Sequence, residues 1–258
     1  MSRWLTSLLR HTSRSFRTKT RAFCWIGKRS LRILHADAHD HVVDLPDGLS
    51  VDGLAAWIAD TAFARDAGEH WTVLLDASIA PMLEVDAAAV SLDEPAWQAL
   101  AEHRFAAVLG ASLGSYSVKL ERYTRSVRIA CAFPKPLVGA LLGTAAHRTG
   151  RLSIVPALVH ASSLTGFGLA TPHWIVCITD ESCQGAWRTA QRLHLGAPWP
   201  ATVDQPLHTL LGQEAQLSGL GEQAASFGHA VFIGKPPPAL RAGWSEVLIA
   251  SDVLGRRL

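Results

Sequence analysis

Three short stretches carry side chains that could do chemistry. Between Leu34 and Val42 the chain reads His35-Ala-Asp37-Ala-His39-Asp40-His41. Imidazole and carboxylate together suit manganese or zinc. A polar turn between two strands uses the same residues simply to stay solvated. The stretch reads as a surface turn, with a metal-dependent hydrolase as the sharper alternative. Next, Gly27-Lys28-Arg29-Ser30 sets backbone amides beside a lysine and a hydroxyl, a combination that suits phosphate. A Walker loop needs Gly-x4-Gly-Lys-Ser/Thr opening a helix. This turn leads into a strand pattern and fails as a P-loop. Last, Gly110-Ala-Ser-Leu-Gly114-Ser lacks the Gly-x-Gly-x-x-Gly spacing and a following helix, and reads as a flexible turn, not a hydrolase elbow. His147 and His160 fall in helical patterns, where a lone histidine is usually a surface or satisfied residue.

These residues must be positioned by a chain of 258 residues, 48% hydrophobic and 18% charged, enough for one large domain or two smaller ones. A net charge of +2, mixed in sign, argues against a nucleic-acid binder. Cys24, Cys131, Cys177 and Cys183 form no CxxC pair and read as reduced core or edge residues of a cytoplasmic protein. The most apolar run, Leu137 to Ala146, is far short of the roughly 20 residues that span a bilayer. Residues 1–21 hold Arg3, Arg10, Arg14, Arg17, Lys19 and Arg21 and no acid. They read as a solvated basic tail or as a short amphipathic helix (Trp4, Leu5, Leu8, Leu9) touching anionic lipid or a partner. A secretory signal does not fit, because no long apolar core follows.

The short apolar and aromatic run Ala22–Ile26 predicts a strand, alternation predicts a second at Leu31–His35, and Val42–Val43 a third, a meander closed by Pro46-Asp-Gly48. Ser50 is a good N-cap for a helix to Ala64, with Leu54, Trp57, Ile58 and Phe63 at helical spacing. A strand is expected at Trp71–Leu75. A helix is expected at Ser91–Arg104, with Asp93 and Glu94 at its start. Strands follow at Phe105–Leu109, Tyr116–Arg122 and Ser126–Phe133. Then come a helix at Pro134–Arg148, a strand at Leu152–Val155 and a helix at Pro156–Ser163. A second unit opens with a strand at Trp174–Ile178, a turn at Asp180–Gly185 and a partner strand at Ala186–Leu195. A helix at Pro206–Ser218, a strand at Ala230–Ile233 and a short helical piece at Ala239–Trp244 complete it. Hairpin first and helices after, the pattern occurs twice and suggests two related α/β halves.

On these residues the chain resembles the actin-like ATPase superfamily, in particular the PilM and GspL cytoplasmic proteins of type IV pilus and type II secretion machines. Members that bind nucleotide show a run like Gly-Ile-Asp-Ile-Gly-Ser-Ser-Ser-Val-Lys; the matching run here is Phe23-Cys-Trp25-Ile-Gly27-Lys28-Arg-Ser30-Leu-Arg32. Residues 128–163 resemble the strand, helix, Gly, strand, Pro and helix passage before the second half. Residues 173–193 are similar to the second phosphate hairpin, and residues 229–240 to the late strand and turn that pack on adenosine, although Lys235 and three prolines follow Gly234.

The resemblance implies an α/β, two-lobed actin-like (RNase H-like) fold, each lobe opening with a β-hairpin and covered by helices. Residues 1–21 would be the tail, 22–165 the first lobe with an insertion at about 50–104, and 166–258 the second lobe. In the family, strand carboxylates organise magnesium around the phosphates. Here Trp25 and Cys177 stand at those two positions, and neither suits a hard cation that prefers oxygen. Asp180 and Glu181 lie near the second. The expectation is therefore a non-catalytic pseudo-ATPase without cofactor or metal, cytoplasmic and peripheral at the inner membrane. It would be a scaffold binding the cytoplasmic tail of an inner-membrane pilus or secretion protein, and a possible second partner is an assembly ATPase. Trp57 and Trp97 are candidate partner anchors, with core packing as their other role. The alternative is an active ATPase or sugar-kinase-like enzyme using ATP with magnesium, in which Lys28, Ser30 and Gly234 would contact the nucleotide.

Overall fold

Arg21–Ile26 is rich in β-branched and aromatic side chains and ends at Gly27, where the chain reverses. It forms β1, and Ser30–Leu34 returns as β2 in antiparallel register from Phe23 opposite Leu34 to Ile26 opposite Leu31. Asp40–Asp44 adds β3, antiparallel to β2. The computed structural model describes residues 21–35, 40–45, 50–64, 70–87, 91–122, 127–145, 151–164, 172–178, 182–189, 193–200, 207–222, 224, 229–234 and 245–249. The chain divides into two compact units, Met1–Ala157 and Leu158–Leu258.

In the first unit, Ser50 caps helix α1 (Val51–Ile58) by accepting the Gly53 N–H at 3.1 Å. The helix runs on as a π-turn, Ala59–Phe63. Phe63 lies against Trp71 of β4 (His70–Leu75), ring centroids 5.0 Å apart. β4 joins β1 in parallel, and β8 (Arg151–Pro156) joins β4 in parallel, giving the order β3-β2-β1-β4-β8. Helix α3 (Lys135–Ala145) packs on α1 and on β8, burying Leu137, Leu141 and Ala145 at four-residue intervals. Helix α4 (Ala157–Leu164) follows β8 in the chain and, after its first residue, belongs to the second unit.

Between β4 and α3 the chain builds a sheet of its own, β5 (Met82–Asp86), β7 (Val127–Pro134) and β6 (Tyr116–Arg122), all antiparallel with β7 central. Helix α2 (Glu94–Leu109), capped by Asp93, covers one side. Trp97, Ala101 and Phe105 form its buried stripe, packed with Val85, Val118, Ala130 and Ala132. Arg128 on β7 grips Glu94 in a two-pronged bridge (2.6 and 3.1 Å), with its guanidinium 5.1 Å from the Trp97 ring.

Here the structure departs from the sequence reading. Phe105–Leu109 continues α2 and is not a strand, because Phe105 completes the stripe begun at Trp97. Met82–Asp86 is a strand that was not anticipated. The segment that forms a separate sheet is 82–134, not about 50–104, since α1 packs with α3 beside the main sheet.

The second unit repeats the first. β9 (His173–Ile178) pairs antiparallel with β10 (Ser182–Arg188), and β10 with β11 (Leu193–Leu195) and with the two-residue β12 (Trp199–Pro200). On the other side of β9, β13 (His229–Gly234) and then β14 (Ser245–Ile249) run parallel. Antiparallel, antiparallel, parallel, parallel is the pairing pattern of both sheets. The partner strand starts at Ser182, not Ala186, because Cys183 and Trp187 alternate inward with Gly185 to form the core with Trp174 and Val176. Helix α5 (Leu207–Leu217) covers this face with Leu211 and Ala215. The helical piece expected at 239–244 lies outside the described residues.

Candidate functional site

The first hairpin turn is tightly closed: Gly27 N–H donates to the Ser30 carbonyl at 2.9 Å. Lys28 is exposed at its tip, and Ser30, which opens β2, is half-buried. The turn joins two strands, so its amides do not open a helix. β4 ends beside it. Asp76 N–H donates to the Ile26 carbonyl at 3.0 Å, which extends the parallel ladder by one residue and sets Asp76 next to Gly27. The Asp76 carboxylate accepts the Ser78 N–H at 2.9 Å, and its carbonyl accepts from Ile79 and Ala80. Only 3% of Asp76 is exposed. Alternation along the strands puts Trp25, Gly27 and Asp76 on one side of the sheet.

Trp25 is buried, 6% exposed, and its indole Nε1 makes no hydrogen bond. A buried donor without an acceptor costs about 1–3 kcal/mol. In the second unit Cys177 occupies the corresponding place on β9, buried, across from Gln184 and Ile233. Gly234 ends β13 in register with Ile178, as Leu75 of β4 is in register with Ile26. Asp180 and Glu181 lie outside the described residues. Indole and thiol are poor donors for magnesium, so the two strand positions do not fit that ion. Asp76 is an oxygen donor that sequence reading missed. Its signal was a carboxylate immediately past the end of a parallel strand, where open α/β sheets place their ligand groups.

The other candidates separate. His35 is buried, not solvated: it stands edge-on to Trp71 (6.1 Å) and to the exposed His41 (5.6 Å), a packing role for a residue expected in a surface turn. Asp37 and His39, and the side chain of Asp40, lie outside the described residues, among which no group of three or more His, Cys, Asp or Glu is placed to hold a metal. His160 is buried on α4, and His147 is outside the described residues. Gly110-Ala-Ser112-Leu-Gly114 does carry the Gly-x-Ser-x-Gly spacing. It forms a 3-10 turn between α2 and β6, whereas a nucleophile elbow runs from strand to helix. Trp57 is half-buried on α1. Trp97 is 2% exposed inside the α2 core, which removes it as a surface anchor.

No family model and no curated protein matches the chain. Solved structures do match. One is a protein of Bacteroides thetaiotaomicron VPI-5482 with an actin-like ATPase fold and unknown function: 9% identity, TM-score 0.52, covering 84% of this chain and 82% of that one. Another is the cytoplasmic domain of EpsL, an inner-membrane component of the type II secretion system of Vibrio cholerae: 10% identity, TM-score 0.52, covering 91% and 92%. A PilM–PilN type IV pilus biogenesis complex matches at TM-score 0.45 and 14% identity over 80% and 68%. The chain has the two-lobed α/β fold of the actin-like ATPases, each lobe opening with a β-hairpin. Among the described residues no helix is long and apolar enough to cross a membrane.

Proposed function

We propose that this chain is a non-catalytic scaffold, a pseudo-ATPase, of a type II secretion or type IV pilus assembly complex. It works at the cytoplasmic face of the inner membrane, binding the cytoplasmic tail of a membrane component. An assembly ATPase is a second partner, and the basic residues of segment 1–21 favour a place near anionic lipid. The observation that carries the reading is the replacement of both hairpin carboxylates by the buried Trp25 and Cys177, on a fold shared with the EpsL cytoplasmic domain. With a hydrophobic ring and a thiol at the two strand ends, the ion that would organise a triphosphate loses its protein oxygens there. What the fold keeps is a rigid frame with helices on its sheets, and Trp57, half-buried on α1, is suited to anchor a peptide.

The test is co-expression with candidate inner-membrane secretion or pilus components that carry a short cytoplasmic tail. Co-purification with one of them that is lost when its cytoplasmic tail is deleted is expected; independent elution from all of them contradicts the reading. One observation favours a second reading, a nucleotide-binding ATPase or sugar-kinase-like enzyme. Asp76 supplies a buried carboxylate next to Gly27, and Lys28, Ser30 and Gly234 would then contact the nucleotide.

A further inference from the structure

From Ile33 to Ala64 the chain has six aspartates and no lysine or arginine. β3 lies within this acidic stretch and is the last strand of its sheet; among the described residues nothing pairs with its outer side. The outward N–H and C=O groups of an edge strand are a template for another strand. Protein edges are usually blunted by short strands, by charges (lysine above all), by proline or by a bulge, and here the only such charges are acidic, which repel another acidic edge but attract a basic segment. Asp40–Asp44 has neither lysine nor proline, and its register with β2 runs unbroken from Ser30 opposite Asp44 to Leu34 opposite Asp40, which leaves no bulge. Val42 is 58% exposed, and Asp44, two residues on and so on the same face, is exposed as well. Asp52, in the first turn of α1, adds another exposed carboxylate in the same acidic stretch.

We propose that the outer edge of β3 is a docking site for an extended, basic segment of a partner protein. Such a segment adds a strand to the sheet, with an arginine or lysine across from Asp44 and an apolar residue across from Val42. Charge chooses the occupant. A second copy of this chain would bring one acidic edge against another, which cross-strand pairing disfavours. The site does not depend on whether Gly27 and Asp76 bind nucleotide or on which machine the protein serves.

The test uses the full chain and a fluorescent peptide, Lys-Thr-Val-Thr-Lys, whose lysine and valine stand two residues apart as Asp44 and Val42 do, read by anisotropy and by hydrogen exchange. Saturable binding is expected, with exchange slowed at residues 40–44. The same peptide N-methylated on its pairing edge should lose binding, since its charge is kept and its ladder donors are gone. Asp44→Lys should weaken binding about tenfold, the swing when an attractive cross-strand pair becomes repulsive. Asp44→Asn should fall between, which keeps the test informative were the lysine variant to fold poorly. Equal binding of the methylated peptide, or exchange unchanged at 40–44, overturns the proposal. So does self-association of the chain that Val42→Lys abolishes, which would assign the edge to a second copy.

Discussion

Gly185 lies on β10 opposite Val176, beneath α5. A Cβ placed on it would stand 2.7 Å from Leu211 Cδ2 and 3.3 Å from the Trp174 ring. Neither neighbour has room to retreat: Leu211 and Trp174 are both fully buried, and Trp174 is tied by its Nε1–H to the Ala224 carbonyl at 3.0 Å. Gly185→Ala must therefore displace α5 or force Leu211 off its rotamer. Overpacking of this kind costs about 1–3 kcal/mol. With a urea slope of about 2 kcal/mol/M, a 2 kcal/mol loss moves the midpoint down by about 1 M. The decisive arm is the pair with Leu211→Ala. Alone, that truncation costs about 2–5 kcal/mol through its cavity. In the Gly185→Ala background part of the cavity is filled by the new methyl, so the double variant should lose at least about 1 kcal/mol less than the sum of the singles. Urea unfolding followed by tryptophan fluorescence reads all four proteins. A neutral Gly185→Ala, or strict additivity with Leu211→Ala, would refute this packing of hairpin and helix.

Two other perturbations have opposite signs. Gly139 and Gly143 are exposed on α3, and a Cβ at either meets nothing within 4 Å. Replacing each with alanine should raise stability by about 0.5–1 kcal/mol through the unfolded chain's entropy, and a lower urea midpoint would count against the helix assignment. Burial holds the Cys24 and Cys131 thiols well above their ordinary range and pushes Cys183 up to about 12. The folded state keeps protons that the unfolded chain releases, so stability should be flat below the ordinary thiol pKa of about 9 and fall above it, by up to about 1.4 kcal/mol per pH unit per thiol. Thiol titration of the native protein at pH 8 should likewise find these three unreactive; rapid labelling would contradict their burial.

How much was legible follows from how local each signal is. The meander was readable because an apolar, aromatic run, Ala22–Ile26, is followed by a glycine turn and then by Leu31 and Ile33 alternating with polar residues. The start of α1 was readable because Ser50 is a capping residue whose oxygen does accept an amide of the first turn; that of α2 was approached through its early acids, and Asp93 proves to be the cap. The repeat of hairpin and helices was visible as well, and it is the feature both sheets share. Phe105–Leu109 was misread because five apolar residues in a row carry no period; only contact with Val118 and Ala130, distant in sequence, makes them helical. Met82–Asp86 was missed because a five-residue edge strand has too little pattern to stand out from a loop. Asp76 escaped because a carboxylate just past a strand end counts only if the strand is parallel, and that is settled by the pairing of β4 with β1. Trp97 looked like a surface anchor because one exposed-looking helix turn hides a stripe that spans three turns.

With Trp25 and Cys177 at the two carboxylate positions, the proposed function predicts that the protein does not bind magnesium-nucleotide. Thermal unfolding of the full chain with and without millimolar Mg-ATP tests it most directly, since a ligand bound a hundredfold above its Kd would add about 2.7 kcal/mol. Coincident melting curves are expected. A magnesium-dependent rise in Tm that is lost in Asp76→Asn would contradict the claim and place an oxygen-ligated ion beside Gly27.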